Sequence, residues 1–368
     1  MPKPNAVVGL ITRIEPEVTK SGVSMLRESP DGVSIELEGQ RTARLYPGEK
    51  AAGQLEILEG LRGLGTPVYL EIDPDSRGIT RLLIPLVSKV INISEGAGDI
   101  DVELEMSQAR HLLKRANSDF LELLETLRAA HAEGNSQVIT ETDEHEIIDV
   151  RPHTGQMAFH EKNWKAEAAP RELRRWWFWR LWHWLCWFCC LCRCVSPVRA
   201  KALFDLCSAQ TCNPVTVPSP CIPFLYPDDG CWARANEMCR LMIAQGAHPR
   251  KIWIDGNLHT LTKNNPACFV NWNWHVAPTL CVRRRFFSHI EEVIDPSLFN
   301  GPVTEAAWKG VQGDPSATLT PTAAAVYMRP SQTDPTYSQT NFYLNIYRLQ
   351  LKNRSLSPAG PPPYANCP

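Results

Sequence analysis

Cys231 ends the run Tyr226-Pro227-Asp228-Asp229-Gly230 and opens the run Cys231-Trp232-Ala233-Arg234-Ala235. Pro, Asp and Gly in that order reverse a chain and then release it into a helix, so the thiol is expected in a first helical turn. There the positive end of the helix dipole favours thiolate over thiol, and thiolate is the nucleophilic form of sulfur. A sulfur nucleophile needs a base that takes and returns a proton, and a third group that fixes the base. His275 and Asp295 have the types and spacing for those two roles. The backbone N–H of Cys231 is the nearest candidate donor to an oxyanion. This constellation supports acyl transfer. It leaves open whether water or an amine is the acceptor, and whether the donor amide is backbone or side chain.

The elements that must position these groups are also written in the chain. Trp232, Ala235, Cys239, Met242 and Ile243 recur at helical spacing and Gly246 supplies a stop, so Cys231 should begin a helix of about four turns. Residues 269–277 alternate, with Val270, Trp272, Trp274 and Val276 on one face and Asn271, Asn273 and His275 on the other. His275 is thus expected on the more polar face. Asn271 and Asn273 beside it, with Trp232 and Trp274, are the candidates for oxyanion or pocket positions. Pro278 should force a bulge or an edge position just after the histidine. A reversal near Arg285 would set positions 275 and 295 opposite each other on an antiparallel pair, with Pro296 ending the ladder.

These segments resemble the bacterial protein-glutaminases, whose catalytic part looks like a trimmed, papain-like transglutaminase core. The likeness spans about residues 200–351 and is carried by several strings in order: Pro220-Cys221-Ile222-Pro223-Phe224, the turn and helix start around Cys231, Gly256-Asn257-Leu258, Trp274-His275-Val276-Ala277, Ile294-Asp295-Pro296-Ser297-Leu298-Phe299 and Gly301-Pro302-Val303-Thr304. The resemblance implies a Cys231, His275, Asp295 triad. It also implies a thioester formed from a glutamine side chain, release of ammonia and hydrolysis to glutamate, with protein substrates bearing accessible glutamine and with no metal or organic cofactor. The chain lacks the family's cysteine near His248-Pro249 and has only Cys268 where members have two, so the family's disulfide pattern does not carry over. A transglutaminase or a cysteine peptidase using the same triad is the alternative enzyme. A non-catalytic, membrane-associated interaction protein is the alternative outside catalysis.

The 368 residues are 43% hydrophobic and 21% charged, an ordinary globular balance with room for two or three domains. The net charge of -2 conceals an asymmetry: residues 1–170 carry 18 Lys and Arg against 28 Asp and Glu, and the remainder carries 20 against 12. Opposite halves suggest that residues before about 197 restrain the catalytic part. The expected class is α+β. Short apolar runs in 1–100 suggest a small β-barrel or sandwich, 105–134 an amphipathic helix and 135–172 an acidic linker. Residues 198–352 form the protein-glutaminase-like domain, in which the helix carrying Cys231 packs on an antiparallel sheet carrying His275 and Asp295. Residues 341–351 read as its final strand, and 355–368 as a proline-rich, disordered tail ending in Pro361-Pro362-Pro363-Tyr364, a ligand pattern of proline-reading domains. His111, His131, His145, His153 and His160 lie scattered among acids and are expected to be solvated.

Residues 173–196 are the outlier. Six of the 12 Trp and five of the 13 Cys fall in 176–194, interrupted by Arg180, His183 and Arg193. That composition fits contact with a membrane interface, or a plug packed on the catalytic domain, better than a metal module, which would need a second separated cysteine pair. No nucleic-acid partner is expected. Met1-Pro2-Lys3-Pro4-Asn5 leads directly into strand-like sequence without a cleavable signal, which leaves export by a signal-free route, membrane association or the cytoplasm open.

Overall fold

The computed structural model describes residues 5–16, 26, 28–96, 98–153, 194–217, 220–285 and 288–368, so most of the Trp- and Cys-rich segment lies outside the described residues. Alternating apolar positions build the first unit, which comprises Met1–Ala158, Asn213–Val217 and Asn345–Tyr364. Its elements are β1 (Ala6–Gly9), β2 (Ile11–Glu15), β3 (Val33–Leu37), β4 (Arg41–Leu45), α1 (Ala51–Leu64), β5 (Val68–Ile72), β6 (Ile79–Leu83), β7 (Leu86–Ser88), β8 (Val90–Glu95), β9 (Ile100–Leu104), β10 (His111–Leu113), α2 (Phe120–Glu133), β11 (Gln137–Glu141) and β12 (Ile147–Pro152).

Three expectations for this unit need correction. No barrel closes among the described residues; the strands form three-stranded sheets in the orders β1-β5-β6, β2-β3-β4, β10-β9-β8 and β12-β11-β7. Closure requires strand pairing to run on continuously around the ring, and here each ladder stops after three strands. The single helix expected over 105–134 is divided, because Asn117 accepts from the Asp119 N–H through Oδ1 and from the Phe120 N–H through its carbonyl, a turn that separates β10 from α2. The acidic linker is in part a hairpin: β11 and β12 pair from Gln137↔Pro152 to Glu141↔Ile147. Val138, Ile139 and Ile147 are buried there, and Ile139 and Ile147 join Ile100, Val102, Leu113, Leu124 and Leu127 in one core. Charged residues around those apolar positions hid a strand period in the sequence.

The second unit comprises Phe159–Cys212, Pro218–Leu344 and Ala365–Pro368. It holds α3 (Pro197–Ser208), α4 (Cys231–Ala244), β13 (Arg250–Leu261), β14 (Phe269–Arg283), β15 (His289–Val293), β16 (Val303–Thr304), α5 (Glu305–Gly310), β17 (Thr318–Ala323), β18 (Val326–Met328) and β19 (Gln332–Thr333), and then the start of α6 (Ser338–Ser355), whose later turns belong to the first unit. Ser196 caps α3 by accepting from the Arg199 N–H, with Pro197 at the first helical position. The sheet is antiparallel in the order β16-β15-β14-β13-β17 and α4 packs on β14. Its core includes Ile252, Ile254, Leu258, Trp272, Ala277, Val293 and Trp308.

The final strand expected over 341–351 is helix α6. Its buried positions include Thr340, Tyr343, Leu344, Ile346, Tyr347 and Leu351, and spacings of three and four recur among them, as a helix face requires. The tail is ordered rather than disordered. Cys367 is disulfide-bonded to Cys268, and Tyr364 is buried with its hydroxyl donating to the Gly360 carbonyl, so the proline-tyrosine string is not an exposed ligand. Among the described residues no helix is long and apolar enough to cross a membrane.

Candidate active site

The loop before α4 is fixed by buried polar groups. Gly230 takes φ +81° at the N-cap, a left-handed position suited to glycine, and Cys231 is the first helical residue. Its backbone N–H therefore lies ahead of the intrahelical ladder. The buried Arg234 guanidinium donates to the carbonyls of Tyr226, at 3.0 Å, and Asp229, drawing the two ends of the turn together. Asp228 is buried as well: its carboxylate accepts from the Asn265 amide and its carbonyl from the Trp272 indole N–H at 3.0 Å.

Cys231 is only 1% exposed, and this reverses one expectation. Burial pushes the thiol's pKa well up. The Arg234 charge and a hydrogen bond from the Val276 N–H oppose that rise, while Asp229 and Asp295 reinforce it. The resting group is therefore the neutral thiol, and the helix dipole alone does not ionise it.

His275 and Asp295 are brought together. Nε2 of His275 donates to Oδ2 of Asp295 at 2.9 Å, and both side chains are almost fully buried. The same carboxylate oxygen accepts from the Trp308 indole N–H at 2.9 Å, and Oδ1 accepts from the Ser297 N–H at 3.1 Å. Burial works to raise the Asp295 pKa, but the neighbouring His275 and the hydrogen bonds from His275 and Trp308 outweigh it and hold the carboxyl below its usual range. The imidazole is stacked between two indoles, 4.4 Å from Trp272 and 5.5 Å from Trp308 by ring centroids. With Nε2 on the carboxylate, Nδ1 is the nitrogen left for proton exchange, and it is buried with no hydrogen-bond partner among the described residues.

The route to this pair differs in detail from the sequence reading. The hairpin pairs Thr279↔Val293, so Asp295 lies two residues beyond the end of β15 instead of within the ladder. Pro278 makes neither a bulge nor an edge strand. It pairs with Lys251 inside the central strand β14, and its carbonyl accepts from the Ile294 N–H. In an antiparallel strand a residue's N–H and C=O point the same way, so the missing N–H faces β15 where that ladder ends, and pairing with β13 is undisturbed.

The alternation is also displaced. Ile254 pairs with His275 and Leu258 with Trp272, with the register shift falling between Asp255 and Leu258. His275 therefore shares the core face with Trp272, as their stacked rings show, and does not lie on a polar face with Asn271 and Asn273. Asn271 Oδ1 instead accepts from His259 Nδ1–H at 2.8 Å, and Asn273 is half-buried. Trp232 is fully buried, its indole N–H on the Tyr327 hydroxyl at 3.1 Å and its rings against Trp274 and Tyr343, which makes it core. Trp274 is half-buried beside Trp253, and the Arg329 guanidinium, paired with Asp255, lies over both indoles.

Sequence reasoning missed Trp308 and Lys251. Nothing local marks either. Lys251 is buried, with Nζ donating to Asn236 Oδ1 at 2.8 Å and to the Val326 carbonyl at 2.6 Å. Burial brings its pKa down to about 8, although the thiols of Cys239 and Cys231 pull in the other direction. Among the described residues three disulfides brace the unit: Cys194–Cys281, Cys212–Cys221 and Cys268–Cys367.

With this geometry in view, the comparisons with known proteins agree on one family. A family model described as glutaminase matches residues 200–312. A crystal structure of pro-protein-glutaminase is 25% identical and covers 78% of this chain and 99% of that one, with a TM-score of 0.52. A mutant of a pro-protein-glutaminase is 26% identical over the same shares, with a TM-score of 0.51. The NMR structure of protein-glutaminase from Chryseobacterium proteolyticum is 32% identical, covering 48% of this chain and 97% of that one, with a TM-score of 0.40. No curated protein matches the chain. The chain belongs to the protein-glutaminase family.

Proposed function

We propose that this chain is a hydrolase of glutamine side-chain amides in proteins, giving glutamate and ammonia through a Cys231 thioester. The observation that carries the mechanism is the buried His275–Asp295 pair, which leaves His275 Nδ1 for proton exchange on the strand against which the Cys231 helix packs. His275 Nδ1 takes the thiol proton as sulfur attacks the amide carbon, and Asp295 holds Nε2 protonated and the ring in plane. The tetrahedral oxyanion is met by backbone donors at the start of α4, the Cys231 N–H first among them. Collapse breaks the carbon–nitrogen bond, the imidazolium proton passes to the leaving nitrogen, and ammonia departs. Water then attacks the thioester, giving its proton to His275, which returns it to sulfur as glutamate leaves. Atoms and charge balance with water as the only co-reactant.

Trp272 supports the reading from a different side. Its N–H holds the loop before the nucleophile and its ring face supports the base, so one residue fixes the distance between them. The test is ammonia release from a casein-like protein and from free glutamine, with Cys231→Ala alongside. Release from the protein, a gain of about one mass unit on glutamine side chains and loss of both in the variant are expected. Chain cleavage, amine incorporation in place of hydrolysis, or undiminished release by Cys231→Ala would refute it.

A further inference from the structure

Two of the histidines expected to be solvated are buried around a carboxylate in the first unit. His111 is fully buried in β10, and Glu141 at the end of β11 and His145 in the turn before β12 are 9% and 11% exposed. His111 Nδ1 lies 2.5 Å from Glu141 Oε2, and His145 Nδ1 lies 2.9 Å from Glu141 Oε1. One ligand atom from each of the three residues falls within 4.8 Å of the other two. The chain builds this convergence by two local irregularities: the register of β11 with β12 shifts between Thr140 and Glu141, and His145 adopts φ +59°. Such a shift re-aims a side chain, and a left-handed turn residue of this size persists only where its surroundings hold it.

We propose that His111 Nδ1, Glu141 and His145 Nδ1 bind one divalent zinc ion. Two imidazoles and a carboxylate are a donor set suited to zinc, and three protein ligands leave a fourth position for water. The remaining exposure of Glu141 and His145 gives that water a route. Tetrahedral ligation at about 2.0–2.2 Å sets donor atoms roughly 3.4 Å apart. The two imidazole–carboxylate separations therefore need to open, and the widest separation, at most 4.8 Å, to close, each by a distance on the order of an ångström. His111 also has the outer partner that metal-bound histidines have. Its Nε2 is 2.8 Å from the buried Ser107 Oγ, which with Nε2–H as donor leaves the Nδ1 lone pair pointing inward. Without a cation, two neutral rings would leave the Glu141 negative charge uncompensated in the interior; the ion replaces the bridging protons and neutralises it. The product is a clip between β10 and the β11–β12 hairpin, separate from the catalytic chemistry.

The test uses the full chain, stripped with a chelator and reloaded with zinc or cobalt(II). We expect about one bound zinc per chain, measured by elemental mass spectrometry. Cobalt should give visible ligand-field bands without a near-ultraviolet thiolate charge-transfer band, which separates this site from the chain's cysteines. His145→Ala and Glu141→Gln should lose the bound ion, and Ser107→Ala should bind it about 10–100-fold more weakly. No uptake by the wild-type chain, a thiolate band in its cobalt spectrum, or unchanged uptake by His145→Ala and Glu141→Gln overturns the proposal. If those variants do not fold, the wild-type cobalt spectrum decides alone.

Discussion

Replacing Asp295 by Asn tests the proposed base most sharply, because three donors converge on the carboxylate. His275 Nε2–H and Trp308 Nε1–H meet Oδ2, and the Ser297 N–H meets Oδ1. An amide has one acceptor oxygen, so in either orientation its NH2 group faces at least one donor among side chains that are buried. Leaving one such buried donor unsatisfied costs about 1–3 kcal/mol of stability. If the NH2 faces His275, Nε2 must become the acceptor and the proton moves to Nδ1, the nitrogen assigned to take the thiol proton. Loss of that base function is worth about 10²–10⁴ in kcat. The assay is ammonia release from a protein substrate across pH, with urea unfolding on the same samples. In the wild-type chain the Asp295 carboxyl titrates below its unfolded value of about 3.9, so its contribution to stability is complete above that value and is lost as pH falls through the folded-state value. The Asn variant has no such contribution to lose, and the stability difference between the two proteins should narrow in acid. Activity within about threefold of wild type, far inside the range for a general base, would refute the role given to this carboxylate.

Other outcomes follow from the same structure. Lys251, with its pKa at about 8, binds fewer protons when folded than unfolded up to about pH 10.4, so its contribution to stability rises with pH across that window; Lys251→Met should remove the rise, and equal slopes in urea unfolding would contradict it. Cys367→Ser opens the link to Cys268 and should cost about 2–4 kcal/mol and make the last residues sensitive to carboxypeptidase; resistance equal to wild type would show that the tail is held by other contacts. Cutting the chain within 154–193 should raise ammonia release, given a thiol that is 1% exposed in the intact chain and two halves of opposite charge, and equal rates before and after cutting would dismiss the idea.

The position of Cys231 at a helix start was legible because turn chemistry is local: Pro227, Asp228 and Gly230 announce that start wherever the rest of the chain goes. His275 with Asp295 was legible as a pairing because a hairpin joins residues at a distance its tip defines. The face that His275 presents was not, because a register shift in the partner strand at Asp255 to Leu258 leaves no mark in the alternation of β14 itself. Trp308, Lys251 and the cluster of His111, Glu141 and His145 were hidden for another reason. Their partners lie 13 or more residues away, or, in the case of His145, across a bulge and a left-handed turn that the residue types do not require. Helix α6 shows a weakness of composition as a guide, since Tyr, Phe and Ile serve a buried helix face as well as a strand.

Pro278 has a consequence for how this hairpin tolerates change. Ile294 gives one hydrogen bond to Pro278 and cannot receive the reciprocal one, so the zipper of β14 and β15 is stopped at that end by the imino acid itself. The carboxylate just past the stop is thus referenced to the anchored end of the hairpin, not to its tip. Loop lengths around residues 284–288 can drift between relatives while the acid stays where the imidazole needs it. A residue with an N–H at 278 would allow one more rung to close and draw Asp295 toward the sheet.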